Sequence, residues 1–327
     1  MRVPPPDVSD ADVARCVASG WGVHVDEIAY APVGFGSHHW QVRSGAERLF
    51  VTVDVVRDSA ELAAALGTAA ALRAQGLEFV HAPRPDASGG LLQTVAGRHT
   101  LAVHEWLDGT VLSSLDDVPH AETIPLLARL HAVSLATVPA RRADLVVQGR
   151  AGFEAALQQI DTTWPGPYGE RARSLLRQHR GRLGDLFAVH DSEAAKMLAK
   201  QGTWVVTHGE PHGDNLLSGD DGLHFIDWDT ALIAPAARDV WQVGGASELD
   251  HYRELTGREL PQDEVDHFRR DWDLAEICLY TADFAAPHDE TADTAIMWGG
   301  FVESLANLLA ERTQRAPRGP EKHGQTT

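Results

Sequence analysis

The stretch Thr207–Asp229, THGEPHGDNLLSGDDGLHFIDWD, decides how this chain is read. The preceding residues, Thr203-Trp204-Val205-Val206-Thr207, are β-branched and aromatic and predict a short strand. Gly209, Pro211 and Gly213 then break regular structure. Asn215 to Ser218 and Leu223 to Ile226 are apolar runs around Gly219-Asp220-Asp221-Gly222, which is turn chemistry. The prediction is strand, irregular loop, hairpin, acid.

That order has chemical consequences. Asn215 and Asp227 flank the hairpin and can converge as hard oxygen ligands on one divalent cation. Glu210 adds a carboxylate in the loop. A carboxylate beside an acceptor hydroxyl, with two oxygen ligands holding magnesium on nucleotide phosphates, is what phosphoryl transfer requires. A zinc reading of His208-x-Glu210-x-His212 competes. It needs both histidines on one helical face, and Gly209 and Pro211 oppose a helix there.

Composition sets the outer bounds. At 327 residues the chain can bury a large core and divide into two lobes. No apolar stretch is long enough for a membrane span, and MRVPPPDVSDADVARC lacks an apolar signal region. Two cysteines, Cys16 and Cys278, give no disulfide framework, so a cytoplasmic location is expected. A net charge of −19 argues against nucleic acid as a partner and suits a cationic ligand. A monomer or homodimer is expected.

Upstream, residues 11–20 predict a helix ending at Gly20. Strand patterns follow at residues 27–30, 39–43 and 49–53, with Gly34-Phe35-Gly36-Ser37 between the first two. Residues 58–75 predict a helix closed by Gly76, and residues 91–106 two more strands turning at Ala96-Gly97. Beyond Leu112 the pattern is mostly helical, apart from the hairpin, until a polar tail from Thr313 that is expected to be disordered.

These residues together resemble the aminoglycoside phosphotransferase family of kinase-like antibiotic-modifying enzymes. The match is strongest at His208-Gly209-Glu210 to Asn215 and at Asp227, with Ala237-Arg238-Asp239 a further match. The hinge-like His104-Glu105-Trp106-Leu107-Asp108-Gly109 and Leu127-Ala128-Arg129-Leu130-His131-Ala132 support it. The IDWD and ARD segments are similar to those of spectinomycin-kinase-like members.

The resemblance implies an α+β, two-lobed protein-kinase-like fold. A small antiparallel-sheet N-lobe would span residues 1–103, a hinge 104–110, a helical C-lobe 111–312 and the tail 313–327. It implies transfer of a phosphoryl group from ATP or GTP, with Mg2+, to a hydroxyl of a small molecule such as an aminoglycoside or aminocyclitol. A metabolic small-molecule kinase and a nucleotide-binding pseudokinase are the alternatives.

In that scheme Glu210 orients the acceptor hydroxyl, His208 braces the loop, and Asn215 and Asp227 hold the metal. Gly34, Phe35, Gly36 and Ser37 close over the phosphates, with Thr52, Glu105 and Trp106 also at the nucleotide. Asp271, Trp272, Asp273, Glu276 and Asp283 are the acceptor candidates. Asp239 either accepts backbone donors from the loop or is an ordinary helix-start carboxylate; Asp229 supports Asp227 or lies exposed.

The chain departs from the family pattern twice. Glu210 stands where an aspartate is expected. Thr52 stands in register with the nucleotide-clamping lysine, and no lysine precedes Lys196. The lysine's glutamate partner is Glu61, or its position is Thr68; Arg43, Arg48 or Arg73 is a candidate replacement charge.

Overall fold

The computed structural model describes residues 1–55, 59–112 and 119–314. Helix α1 (Asp10–Trp21) opens with a reciprocal cap: the Ser9 hydroxyl accepts from Asp12 N–H, and the Asp12 carboxylate accepts from Ser9 N–H at 3.0 Å. It stops at Gly22 (φ 67°), not at Gly20. Trp21 is buried, so the helix continues long enough to place its indole in the core.

Strands β1 (Glu27–Ala31), β2 (His38–Ser44), β3 (Glu47–Val55), β4 (Gln93–Val95) and β5 (His99–Glu105) form one sheet in the order β1-β2-β3-β5-β4. Every pairing is antiparallel. The period of two sorts its faces. Trp40, Val42, Leu49, Val51, Val53, Leu101 and Val103 pack with Val13, Val17 and Trp21 of α1. His39, Gln41, Phe50, Thr52, Asp54 and His104 alternate with them and belong to the opposite face.

Helix α2 (Ser59–Ala74) ends where Gly76 (φ 88°) lets Leu77 N–H return to Leu72 O. The turn between β4 and β5 uses Ala96 and Gly97, both at positive φ. Strand β6 (Thr110–Val111) and helices α3 (His120–His131), α4 (Arg150–Gln158) and α5 (Gly169–Leu198) follow. Next come β7 (Val205–Thr207), β8 (Leu216–Gly219), β9 (Gly222–Phe225), β10 (Leu232–Ala234), α6 (Ala237–Val240) and α7 (Ala246–Thr256). The chain closes with α8 (Gln262–Ala285) and α9 (Ala292–Gln314). Helix α9 runs through Gln314, past Thr313, and residues 315–327, where the tail is expected, lie outside the described residues.

Two compact units result. The first holds Met1–Leu145 and Lys196–Phe268, so the sheet and the hairpin share one unit. Its second core joins Ala69 and Leu72 of α2, Ile124 and Leu127 of α3, Val205 and Val206 of β7, and Leu216, Phe225 and Trp228 around the hairpin. The second unit holds Val146–Ala195 and the chain from Arg269. Its core is helical, with Leu176, Leu183, Phe187, Ile277, Phe284 and Phe301. No helix among the described residues is long and apolar enough to cross a membrane.

Candidate active site

The loop leaves β7 at Thr207 and crosses from His208 to His212. It passes a tight turn at Gly213–Asn215 and enters the β8–β9 hairpin. Strand β10 returns to pair with β7. An irregular buried loop must satisfy its own backbone, and this one does. Asp239 accepts from His208 N–H at 2.8 Å and from Gly209 N–H at 2.7 Å. Gln242 donates to Gly209 O at 2.7 Å, and Thr230 donates to His208 O at 3.0 Å. His131 bridges Asp239 (3.1 Å) and the Tyr252 hydroxyl (2.8 Å) from behind. Asp239 is thus a brace for the loop, not an idle helix-start carboxylate.

Gly209 sits at φ 106° with the Arg238 guanidinium packed against it; a Cβ there would lie 2.3 Å from Nη1. Only glycine meets both demands. Arg238 in turn donates to Thr207 Oγ1 at 3.0 Å.

His208 is fully buried. Its Nδ1 accepts from Glu210 N–H at 3.2 Å, so the proton is on Nε2, which donates to Ile226 O at 2.9 Å. Burial lowers its pKa to about 4. It is a neutral strut linking the loop to the residue before Asp227.

The same strut region brings Asn215 and Asp227 to the two ends of the hairpin. Asn215 O accepts from Ile226 N–H at 3.0 Å, which sets Asn215 opposite Ile226 and one residue from Asp227. Asn215 Nδ2 donates to Glu210 O at 3.0 Å, leaving its Oδ1 as the spare acceptor. Asp227 itself is at φ 62°, a conformation Asp tolerates better than most residues. Trp228 anchors the turn, donating to Phe225 O at 2.7 Å.

Electrostatics divide the acids. Surrounding protein opposes the Glu210 charge, but His212 (Nε2 at 3.8 Å), Arg238 and His208 hold its carboxyl below the usual range. Asp227 is pushed up to about 6 by surrounding protein, then by Glu210 and Asp54. Asp229 rises well above its ordinary value for the same reasons plus Asp227, to which it is hydrogen-bonded. Both residues are nonetheless exposed to solvent.

Asp54 ties the sheet into this group. Surrounding protein raises its pKa, opposed by a hydrogen bond from the Ser37 hydroxyl. The Gly34–Ser37 loop is thereby joined to the acids through Asp54. Gly34 (φ 66°) and Gly36 (φ 93°) shape that loop, and Phe35 is exposed. Neither Asp54 nor Phe50 stood out in the sequence. Alternation along β3 puts them on the face with Thr52, and only the tertiary structure brings Asp54 to the acids of the loop.

The residues fit a divalent cation. Asp227 and Asp229 share a hydrogen bond under mutual repulsion, and Asn215 keeps a spare carbonyl oxygen. Among the described residues no trio of His, Cys, Asp or Glu could hold a metal by itself.

Thr52 lies on β3, paired with His39 and Ala102. Glu61 is engaged by Arg141, and Thr68 is buried, its hydroxyl donating to Ala64 O. Arg43 pairs with Glu27 and Arg48 with Asp108. Trp106 lies under the Arg48 guanidinium (5.2 Å) and near Phe50 (6.3 Å); Glu105 is exposed. A recess of about 380 Å3 opens here, lined by Ala29, Gln41, Arg43, Arg48 and Trp106.

The acceptor candidates belong to the second unit. Asp271 is held by His190 Nε2 of α5 at 2.8 Å. Asp273 is buried and accepts from Asn307 of α9 at 3.2 Å. Glu276 is hydrogen-bonded to Tyr280, and both crowd Gly300 of α9, where a Cβ would lie 2.9 Å from the Tyr280 ring. Trp272 is half-buried and Asp283 exposed. Successive helix positions point about 100° apart, so Asp271 and Asp273 face different neighbours.

Comparison with known proteins agrees with this geometry. Residues 27–280 match the model of the phosphotransferase enzyme family. The chain is 27% identical over 299 residues to Protein StrN of Streptomyces griseus, covering 87% of this chain and 86% of that one. Its fold is similar to that of a spectinomycin phosphotransferase solved with ADP and spectinomycin (TM-score 0.72, 14% identity, 94% of this chain and 99% of that one). It is also similar to a microcompartment-associated aminopropanol kinase (TM-score 0.64, 15% identity, 93% and 98% coverage). The chain belongs to the phosphotransferase enzyme family and is a kinase-fold enzyme that phosphorylates a hydroxyl group of a small molecule.

Proposed function

We propose that this enzyme moves the γ-phosphoryl group of ATP or GTP onto a hydroxyl of an aminoglycoside- or aminocyclitol-like molecule. The observation that carries the reading is the braced loop that sets Glu210, Asn215 and Asp227 about one hairpin, with Glu210 and Asp54 raising the pKa values of Asp227 and Asp229. Like charges gathered this way favour a cation.

Glu210 stays ionised at neutral pH, so it can accept the hydrogen bond of the attacking hydroxyl and fix its direction. Asn215 Oδ1 and Asp227 would hold magnesium, which neutralises charge on the phosphates. His208 and Asp239 keep the loop in register and do not exchange protons with substrate. The Gly34–Ser37 loop offers backbone N–H groups to the phosphates, and Phe50 and Trp106 offer the base an aromatic surface. Similarity to a spectinomycin phosphotransferase supports an aminocyclitol acceptor, and net charge −19 supports a cationic one. Asp271, Asp273, Glu276 and Asp283, with Trp272, are the side chains offered for it.

The test is release of nucleoside diphosphate with Mg2+ and ATP or GTP, scanned over aminocyclitols, aminoglycosides and amino alcohols. Turnover with an aminocyclitol or aminoglycoside supports the reading. Turnover with amino alcohols alone indicates a metabolic kinase, for which the likeness to an aminopropanol kinase speaks. Nucleotide binding with no turnover on any acceptor, unchanged in Glu210→Ala, indicates a pseudokinase.

A further inference from the structure

The cleft face of the sheet lacks a lysine, and its arginines are committed to Glu27 and Asp108. One side chain nonetheless occupies the space between the glycine loop and the lysine position. His39 lies directly opposite Thr52 in the β2–β3 register, so both side chains leave the same face side by side. Thr52 Oγ1 is 3.3 Å from His39 Nδ1. When the threonine hydroxyl donates there, the imidazole proton sits on Nε2. The ring is stacked on Phe50 at 4.9 Å and 28°, which fixes its plane. Its Nε2 edge lies against the glycine loop, 3.2 Å from where a Cβ of Gly34 would be. The far end of the same loop, Ser37, is bonded to Asp54, which acts electrostatically on Asp227.

We propose that His39 takes over the part of the absent lysine, its Nε2–H donating a hydrogen bond to the nucleotide phosphates beneath the Gly34–Ser37 loop. The inference rests on the nucleotide-dependent reading above. It explains why Thr52 is tolerated: a short hydroxyl cannot reach the phosphates, but it can orient the imidazole that does. It also implies a different division of labour. Burial, the Met1 ammonium and His38 lower the His39 pKa to about 4, so at neutral pH the ring offers a donor without a charge. Neutralising the phosphates then falls more heavily on the divalent cation than in a site with a lysine.

The experiment measures Mg2+–ATP and Mg2+–GTP binding to the full chain by calorimetry. Wild type is compared with His39→Gln, His39→Asn, His39→Leu and His39→Leu combined with Thr52→Lys. Gln keeps a donor near the Nε2 position, and Asn does not. Losing a hydrogen bond to a charged partner weakens binding roughly tenfold or more, so this is expected for Leu and Asn. Gln is expected to stay within about threefold of wild type. Thr52→Lys is expected to restore nucleotide binding in the Leu background, which a merely structural His39 would not allow. Thermal unfolding without nucleotide checks each variant; if His39→Leu does not fold, the Gln and Asn pair decides. Equal binding by Gln and Asn, or by wild type and Leu, overturns the assignment of His39 alone. Failure of wild type to bind either nucleotide overturns the nucleotide reading itself.

Discussion

Two regions on either side of the same loop hold aspartates in opposite states. Behind the loop, burial opposes the Asp239 charge, yet its pKa is lowered by His131, Arg238 and His208. It also accepts two backbone N–H groups. In front, Asp227 and Asp229 are crowded by protein and by each other, and both are raised. The side chains are chemically identical; the partners differ. A carboxylate whose partners are all supplied by the fold is a structural element. A carboxylate left facing other carboxylates requires something from solution, and a divalent ion on a nucleotide meets that need.

The contrast can be broken most severely behind the loop. Asp239→Ala leaves His131 and two N–H groups buried without their acceptor. Breaking a buried pair of this kind costs about 3–5 kcal/mol, readable as a fall in the denaturation midpoint. In front, Asp227→Asn is expected to leave the metal-free protein as stable as wild type or more so, because it removes repulsion. Stabilisation by Mg2+ with ATP should vanish and turnover should fall roughly 100-fold, since a misplaced or missing electrostatic contact costs that much. A variant that kept full Mg2+–nucleotide stabilisation would remove Asp227 from the metal assignment.

Gly209→Ala probes the join between the two regions. It places a Cβ at positive φ and against Arg238, so a loss of about 1–3 kcal/mol is expected in equilibrium unfolding.

The smallest effect is on acid stability. His39, His104 and His208 are lowered to about 4 and His81 to about 3, from 6.5. Below 6.5 the unfolded chain takes up protons that the fold refuses, so stability is lost as pH falls toward 4. Glu210 and Asp239, both lowered, act in the same direction at still lower pH. Asp54, Asp227 and Asp229 are raised and act oppositely, favouring the fold as pH falls. Four histidines outweigh them between pH 6.5 and 5, so the melting temperature should drop by a few degrees over that range. Asp227→Asn removes part of the opposing contribution and should steepen the drop.

Much of this was legible before any coordinates. The turn Gly219–Gly222 predicts the β8–β9 hairpin, and Ala96-Gly97 predicts the β4–β5 turn, because positive-φ residues mark their own positions. Helix ends were less legible: Gly20 looked like a terminus, but packing of Trp21 carries α1 on to Gly22. Asp273 and Glu276, three apart, read as one helix face, and both meet α9, at Asn307 and Gly300. Only the tertiary structure shows that Asp271 is held by His190 of α5.

The amino-acid order by itself determined the loop, the hairpin, the spacing of Glu210, Asn215 and Asp227, and the absence of a lysine on β3. Those follow from local backbone chemistry and a period of two. Tertiary structure alone decided which acids are neutralised, that Asp54 joins Asp227, and that His39 stands beside Thr52. Charge state depends on burial and on partners distant in sequence, and strand register, which brings such partners together, is set by the whole sheet.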